Sequence, residues 1–319
     1  MNSISRRILS AVAFFAILLA LLIALSALLR PKGFRREDGV QDPIANAVYL
    51  EPEQTIDVLF LGDSETYCSF IPLQIYKEHG ITSFVCGTSL QMLSYTEEFL
   101  HGVFEKQSPK IVFLETNTVF RKEDIFSEIA RSAERIFPVF RYHNRWKTVF
   151  STKESRVRNA FLDGAKGYIY DTSLNPAKTD RYLVESNEKE PLPLRNFHHV
   201  RAMRDFCAEH GARLILISTP STVNWSMKIH NATQALADEL NLCYIDCNLN
   251  RTEIPIDWES DTRDKGDHLN HSGAQKVTKF VGNYLQELTL FEDHRNDPSY
   301  SAWGDAVSEF EAAIGKELP

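Results

Sequence analysis

The sequence predicts a three-layer α/β/α domain built on a five-stranded, mostly parallel sheet and preceded by one N-terminal transmembrane helix. Three observations carry this reading. Five short β-branched and aromatic runs recur after residue 55, the intervals between them carry apolar residues at helical spacing, and one uninterrupted apolar run stands near the start of the chain. At 319 residues the chain is about twice the usual ~150-residue domain, enough for a large core plus appendages. With 43% hydrophobic and 24% charged residues it is globular, which excludes collagen-like, disordered and disulfide-scaffold classes. Its apolar residues gather into one long run, which excludes a multi-span bundle. Forty-three acidic against 35 basic residues give a net charge of −8, which repels a phosphate backbone and excludes nucleic acid as a partner.

Residues 1–7 form a short head carrying Arg6 and Arg7. Residues 8–29 come next, 22 positions without a charge, proline or glycine. At ~1.5 Å per residue this run crosses a ~30 Å hydrocarbon core, so the lipid bilayer is an expected partner. The small residues around Ala24 and Ala27 would also suit a cleaved signal peptide, but signal h-regions run to only ~7–15 residues. The run is therefore read as a signal anchor in a single-pass protein of the cell membrane. Two basic residues precede it and four succeed it (Arg30, Lys32, Arg35, Arg36), a balance that by the positive-inside rule keeps the large domain in the cytoplasm. A very short basic head before a long apolar helix is instead the form of an anchor that exports the domain on its C-terminal side. On this second ground the domain is read as extracytoplasmic. Residues 30–54 are polar, with Pro31, Pro43 and Pro52, and read as a juxtamembrane stalk.

The domain itself is expected over 55–290. Its strands are read at 56–61, ending at Gly62; at 84–85, ending at Gly87; and at 111–114, 214–218 and 243–245. Phe197, Val200, Met203, Phe206 and Cys207 show helical spacing before the fourth strand, as do Ala274, Val277, Val281, Tyr284, Leu285 and Leu288 after the fifth. Between about 120 and 194 the rhythm is broken by aromatic and basic residues, among them Phe137, Phe140, Trp146, Arg156, Phe161 and Tyr168. The interval is too long for a loop and reads as an inserted cap over the site or a helical excursion on the flank. Residues 291–319 form a link and a docking helix with Trp303, Val307, Phe310 and Ile314 on one face. The five cysteines show no zinc or CxxC spacing and read as small buried hydrophobes.

Ligands of open α/β sheets bind beyond the carboxyl ends of the strands, which directs attention to Gly62–Asp63–Ser64. A serine there is either a helix cap or an exposed nucleophile. The motif is not a GxSxG elbow, because Thr66 stands where the second glycine would be. A serine nucleophile needs a base, and the base needs a carboxylate to orient it. The segment Asp264–Lys265–Gly266–Asp267–His268, after the fifth strand, supplies both. Trp225, His230 and Asn231 come after the fourth strand at the same sheet edge and suit either a substrate groove or structural roles. His198 and His199 lack a companion acid or cysteine cluster, so no metal site is expected.

Taken in order, these blocks resemble the SGNH, or GDSL-type, hydrolase family over about residues 56–288. Gly62–Asp63–Ser64 resembles the nucleophile block, Gly87 the glycine of the second, Asn117 the asparagine of the third and His268 the final histidine. The resemblance implies a flavodoxin-like α/β/α fold and an oxyanion hole formed by the backbone N–H groups of Ser64 and Gly87 with the Asn117 amide. Three positions depart from the pattern. Glu115 stands where the third block begins with glycine; Leu269 replaces a common proline; and Lys265 occupies the place of the carboxylate three residues before the histidine. The acid is then Asp264 or Asp267. Adjacent side chains in an extended loop point to opposite sides, which favours Asp264.

The resemblance implies a catalytic set of Ser64, Asp264 and His268, without cofactor or metal, in a membrane-tethered serine esterase or O-acyltransferase. The anchor and the family's habits suggest an acyl-ester substrate, an O-acetyl group on a cell-surface polysaccharide. Glu115 and the shifted acid leave open a catalytically silent binding or assembly protein on the same fold. A lipid or thioester hydrolase is the third reading.

Overall fold

A computed structural model describes residues 3–30, 42–147, 165–179 and 182–317. The chain divides into two compact units, one of 1–43 with 123–157 and one of 44–122 with 158–319. In chain order the helices are α1 (Ser3–Leu29), α2 (Pro43–Asn46), α3 (Ser64–Ser69), α4 (Pro72–His79), α5 (Leu93–Phe104), α6 (Asn117–Phe120), α7 (Ile125–Ile136), α8 (Val139–Tyr142), α9 (Leu194–Glu209), α10 (Met227–Leu240), α11 (His271–Glu287) and α12 (Ser301–Glu317). The strands are β1 (Val58–Gly62), β2 (Ser83–Gly87), β3 (Ile111–Glu115), β4 (Arg213–Ser218) and β5 (Cys243–Asp246).

In the larger unit the strand order is β2-β1-β3-β4-β5 and every pairing is parallel. Parallel strands need crossover helices, and these cover both faces. The period-2 alternation of the strands sorts their side chains cleanly between the two cores. Leu59, Leu61, Phe84, Cys86, Val112, Leu114, Leu214 and Leu216 face one layer, where Phe99, Val103, Val200, Met203, Cys207 and Leu236 come from α5, α9 and α10. Val58, Phe60, Val85, Ile111, Phe113, Ile215 and Ile217 face the other, with Cys68, Ile75, Val277, Val281 and Leu285 from α3, α4 and α11. The three-layer expectation and all five strands are thus observed, each strand within two residues of its expected bounds, β2 being the one that grows most in proportion. That strand extends to five residues because Ser83 and Gly87 pair with β1 although neither is a strong β-former.

The chain leaves β1 toward β2 on one side and returns to β3 on the other, so the carboxyl ends of β1 and β3 diverge and open the crevice where such folds bind ligands. Part of the segment expected as a polar stalk is folded instead. Ala45, Ala47 and Val48 lie in the first core layer. Their small apolar side chains were hidden in the sequence by flanking prolines and acids. In the C-terminal helix α12, Trp303 is buried and stacks at a tilt on Tyr76 with ring centroids 5.4 Å apart, under the Lys166 ammonium. Cys68, Cys86, Cys207 and Cys247 are buried thiols, and Cys243 is exposed.

The smaller unit contains α1, α7 and α8. The stretch Ile4–Leu29 of α1 is long and apolar enough to cross a membrane. Asp124 caps α7 by accepting the Phe126 and Ser127 N–H groups at 2.9 and 3.0 Å, and Pro138 separates α7 from α8. Lys32, Arg35 and Arg36 of the expected stalk, and Arg156 and Phe161 of the expected insertion, lie outside the described residues.

Candidate active site

Ser64 begins α3 directly beyond β1. The helix cap is Asp63, whose Oδ1 accepts the Glu65 N–H at 3.0 Å, so the Ser64 hydroxyl is not used for capping. It lies 2.7 Å from His268 Nε2. On the far side of the ring, His268 Nδ1 lies 2.6 Å from Asp264 Oδ2, and Asp264 Oδ1 accepts the His268 backbone N–H at 2.6 Å. One carboxylate therefore grips both the ring and the main chain of the histidine. Residues separated by 204 positions form an unbroken hydroxyl–imidazole–carboxylate relay.

The four-residue spacing between Asp264 and His268 is accommodated by a turn. Lys265 and Gly266 both have positive φ, at 67° and 88°, which folds Asp264 back onto His268. A side chain at 266 would also collide with Thr222, whose Oγ1 lies 2.0 Å from where a Cβ would stand. The hairpin closes through the Thr262–Leu269 bridge, and Gly266 N–H donates to Thr262 Oγ1 at 2.8 Å. Residues 165–179, from the expected insertion, brace it: Asn175 N–H donates to the Thr262 carbonyl and Lys265 N–H to the Asn175 carbonyl.

Asp267 is held apart. Its Oδ2 stands 3.8 Å from His268 Nδ1, while its Oδ1 accepts from Asn224 Nδ2 at 2.6 Å. The same Asn224 nitrogen donates to Glu65 Oε1 at 2.6 Å. Asn224 thus ties the residue after the serine to the residue before the histidine. The loop after β4 lies at the sheet edge, where the sequence points to Trp225 and His230. These two bind Asp246 Oδ2, at 3.0 and 2.7 Å, and Asn231 donates to the Ser186 carbonyl.

Gly87 ends β2 opposite Gly62 in the sheet register. A Cβ there would stand 2.7 Å from the Asp63 carbonyl oxygen, so only glycine lets the β2 end approach the serine turn this closely. Asn117 opens α6 beyond β3. Its Nδ2 donates to Asp63 Oδ2 at 2.9 Å, and its backbone N–H donates to Glu115 Oε2 at 2.9 Å. Asp63 Oδ2 also accepts from the Arg121 guanidinium, an ion pair with the carboxylate fully buried. An amide nitrogen carries two hydrogens, so the bond to Asp63 orients the Asn117 amide and leaves its second N–H for another acceptor.

Three buried carboxyl groups crowd behind the serine. Burial, with the neighbouring Glu115 and Asp63 charges, pushes the Glu65 carboxyl well above the usual range, and burial with the Asp63 charge does the same to Glu115. The sequence did not mark Glu65, because an acid in the first turn of a helix ordinarily faces water and complements the helix dipole. A carboxyl that holds its proton more firmly when folded makes the native state the better proton binder, so stability falls as pH rises above 4.5, the ordinary glutamate value. Glu65→Gln mimics the protonated acid and can still accept from Asn224 Nδ2 and from Thr219 Oγ1, which lies 3.3 Å from the Glu65 carboxylate. Its melting temperature is expected to fall less between pH 5 and 8 than that of wild type, in a pH series of thermal melts. An equal slope in both proteins would show that Glu65 does not titrate differently on folding.

Among the described residues, the acidic and imidazole groups close enough to share an ion are Asp264, Asp267 and His268. His268 Nε2 faces Ser64 and its Nδ1 faces Asp264, so both ring nitrogens already have protein partners. His199, read from sequence as lacking companions, pairs with Glu97.

The chain matches no protein-family model and no curated protein. Solved structures similar to it include a lipase/acylhydrolase from Enterococcus faecalis, at 12% identity over 73% of this chain and 96% of the other, with a TM-score of 0.40. A GDSL-like lipase from Bacteroides thetaiotaomicron aligns at 12% identity over 77% and 99%, TM-score 0.38. A psychrotrophic esterase from Pseudoalteromonas sp. aligns at 10% identity over 72% and 98%, TM-score 0.39.

Proposed function

We propose that this chain is a membrane-tethered serine esterase or O-acyltransferase, with Ser64 as nucleophile, His268 as general base and then acid, and Asp264 as the group that orients His268. The observation that supports the reading is the relay from Ser64 Oγ through both nitrogens of His268 to Asp264 at the strand-order reversal. Ser64 Oγ attacks the acyl carbonyl while its proton passes to His268 Nε2. The tetrahedral oxyanion is stabilised by the N–H groups of Ser64 and Gly87 and the Asn117 amide. Collapse breaks the ester bond, and the leaving alkoxide takes the proton from His268. Water, or the hydroxyl of an acceptor, then repeats the sequence in reverse and releases the acyl group. No cofactor enters this scheme.

A fluorophosphonate probe tests the reading. It is expected to label the wild-type protein and not Ser64→Ala; an unlabelled wild type would favour the silent binding protein on this fold.

The oxyanion role of Asn117 has its own test. Asn117→Ala is expected to lower the rate about 10²–10³-fold, mostly in kcat. A kcat within about threefold of wild type, accompanied by a lower melting midpoint, would make Asn117 a turn residue that merely holds Asp63 and Glu115.

The substrate proposed is an O-acetyl ester on a cell-surface polysaccharide, which requires the domain to be outside the cytoplasm. Cys243 is the exposed thiol among five, so a Cys243→Ser background carrying Glu292→Cys places one accessible thiol in the polar link before α12. Labelling by a membrane-impermeant maleimide on intact cells is expected. Labelling only after lysis would put the domain in the cytoplasm and remove the polysaccharide substrate.

A further inference from the structure

The helix α7 is amphipathic. At ~100° per residue, Phe126, Ile129, Ala130, Ala133 and Ile136 fall within an arc of about 120°, while Ser127, Arg131 and Glu134 face away. The apolar side is bare: Phe126 is 79% exposed, Ile129 59% and Ile136 65%. Trp146, shortly after α8, is 63% exposed. A soluble surface does not hold such a stripe without an occupant.

The position of the stripe identifies the occupant. The segment after α7 is fastened to the last turn of α1, with Val139 N–H donating to Ser26 Oγ at 3.2 Å and Arg145 Nη1 to the Leu29 carbonyl at 2.6 Å. Ser26 and Leu29 are buried by this contact, while Leu25 and Leu28 of the same turn remain exposed. A helix rising ~1.5 Å per residue over Ile4–Leu29 exceeds a ~30 Å hydrocarbon core, so its Leu29 end reaches the level of the lipid headgroups. Only Phe137 and Pro138 separate α7 from α8, which confines α7 near that level. Exposed Trp and Phe in a segment that also carries Arg131, Arg141 and Arg145 is the composition that interfacial segments use, apolar rings at the acyl boundary and basic residues on the headgroup side, with Arg131 also paired to Glu123 and Arg145 to the Leu29 carbonyl.

We propose that α7 and the segment through Trp146 lie in the interfacial layer of the bilayer that α1 crosses, forming a second membrane contact at the foot of the span. This rests on the reading of α1 as a retained anchor. The occupant of the apolar face is lipid, since any group covering it must share the depth of the adjoining, lipid-facing surface of α1. The interval 120–194, expected from sequence to serve as a cap or a flank, would over this stretch serve the membrane.

The full-length protein is reconstituted in palmitoyl-oleoyl phosphatidylcholine vesicles and, in parallel, in vesicles whose phosphatidylcholine is brominated high on the acyl chain. The Trp146 signal is taken as the emission lost in Trp146→Phe, the other three tryptophans being buried. Bromine is expected to quench that signal at least about twofold, and the double variant Phe126→Ser, Ile129→Ser is expected to recover most of it. Flotation of each sample on a density gradient reports the anchor independently. Protein that floats with an unquenched Trp146 overturns the interfacial contact and leaves the anchor standing. Trp146 shielded from both bromine and aqueous iodide overturns it in favour of a protein partner or a second copy. Protein that does not float overturns the anchor and the contact together.

Discussion

Purified Ser64→Ala is expected to lose ester cleavage by about 10⁴–10⁶-fold while melting within about 4 °C of wild type. The rate loss has a chemical origin. With no hydroxyl, His268 has nothing to activate, and only oxyanion stabilisation and substrate binding remain to accelerate attack by water. The small stability change has a structural one. The Ser64 side chain makes one hydrogen bond, to His268, while the α3 cap is supplied by Asp63. Losing that bond is worth about 1 kcal/mol. Steady-state hydrolysis of a chromogenic acetyl ester, measured with the melt on one preparation, separates the two quantities. Activity within about tenfold of wild type would remove Ser64 as the nucleophile.

The second large effect is expected at the acid. Asp264→Asn should lower kcat about 10⁴-fold, because an amide offers Nδ1 of His268 a donor as readily as an acceptor and permits the wrong tautomer. Asp267→Asn should stay within about tenfold of wild type, since its carboxylate is committed to Asn224 and stands 3.8 Å from the ring. Both variants keep the shape of the loop, so the comparison isolates charge and tautomer control. A larger loss in Asp267→Asn would mean that the working conformation of the hairpin brings Asp267, and not Asp264, onto the imidazole.

The features legible in the sequence are periodic or local. Strand runs such as 111–114 and the helical spacing of Val277, Val281 and Leu285 repeat a simple rule along the chain, and burial of the resulting faces leaves one layered architecture. Gly62–Asp63–Ser64 was legible because a strand end, a glycine and a serine are adjacent. The sequence favoured Asp264, but the contact that brings Asp264, and not Asp267, onto the His268 ring is made only in the tertiary structure. An extended loop would place the two aspartates on opposite sides, whereas left-handed Lys265 and Gly266 curl it, and that curl is stabilised by Thr262 within the hairpin and by Thr222 and Asn175 from distant segments. Tertiary structure also decided that Glu65 and Glu115 are interior groups with raised proton affinity, that Asn117 shares Asp63 with Arg121, and that residues 123–147 cluster with α1 instead of the sheet domain. Each of these depends on contacts between residues far apart in the chain. Local pattern constrains which face of an element is buried, but the partner met on that face, and hence the charge and hydrogen bonding of a buried polar group, is set only when the elements pack.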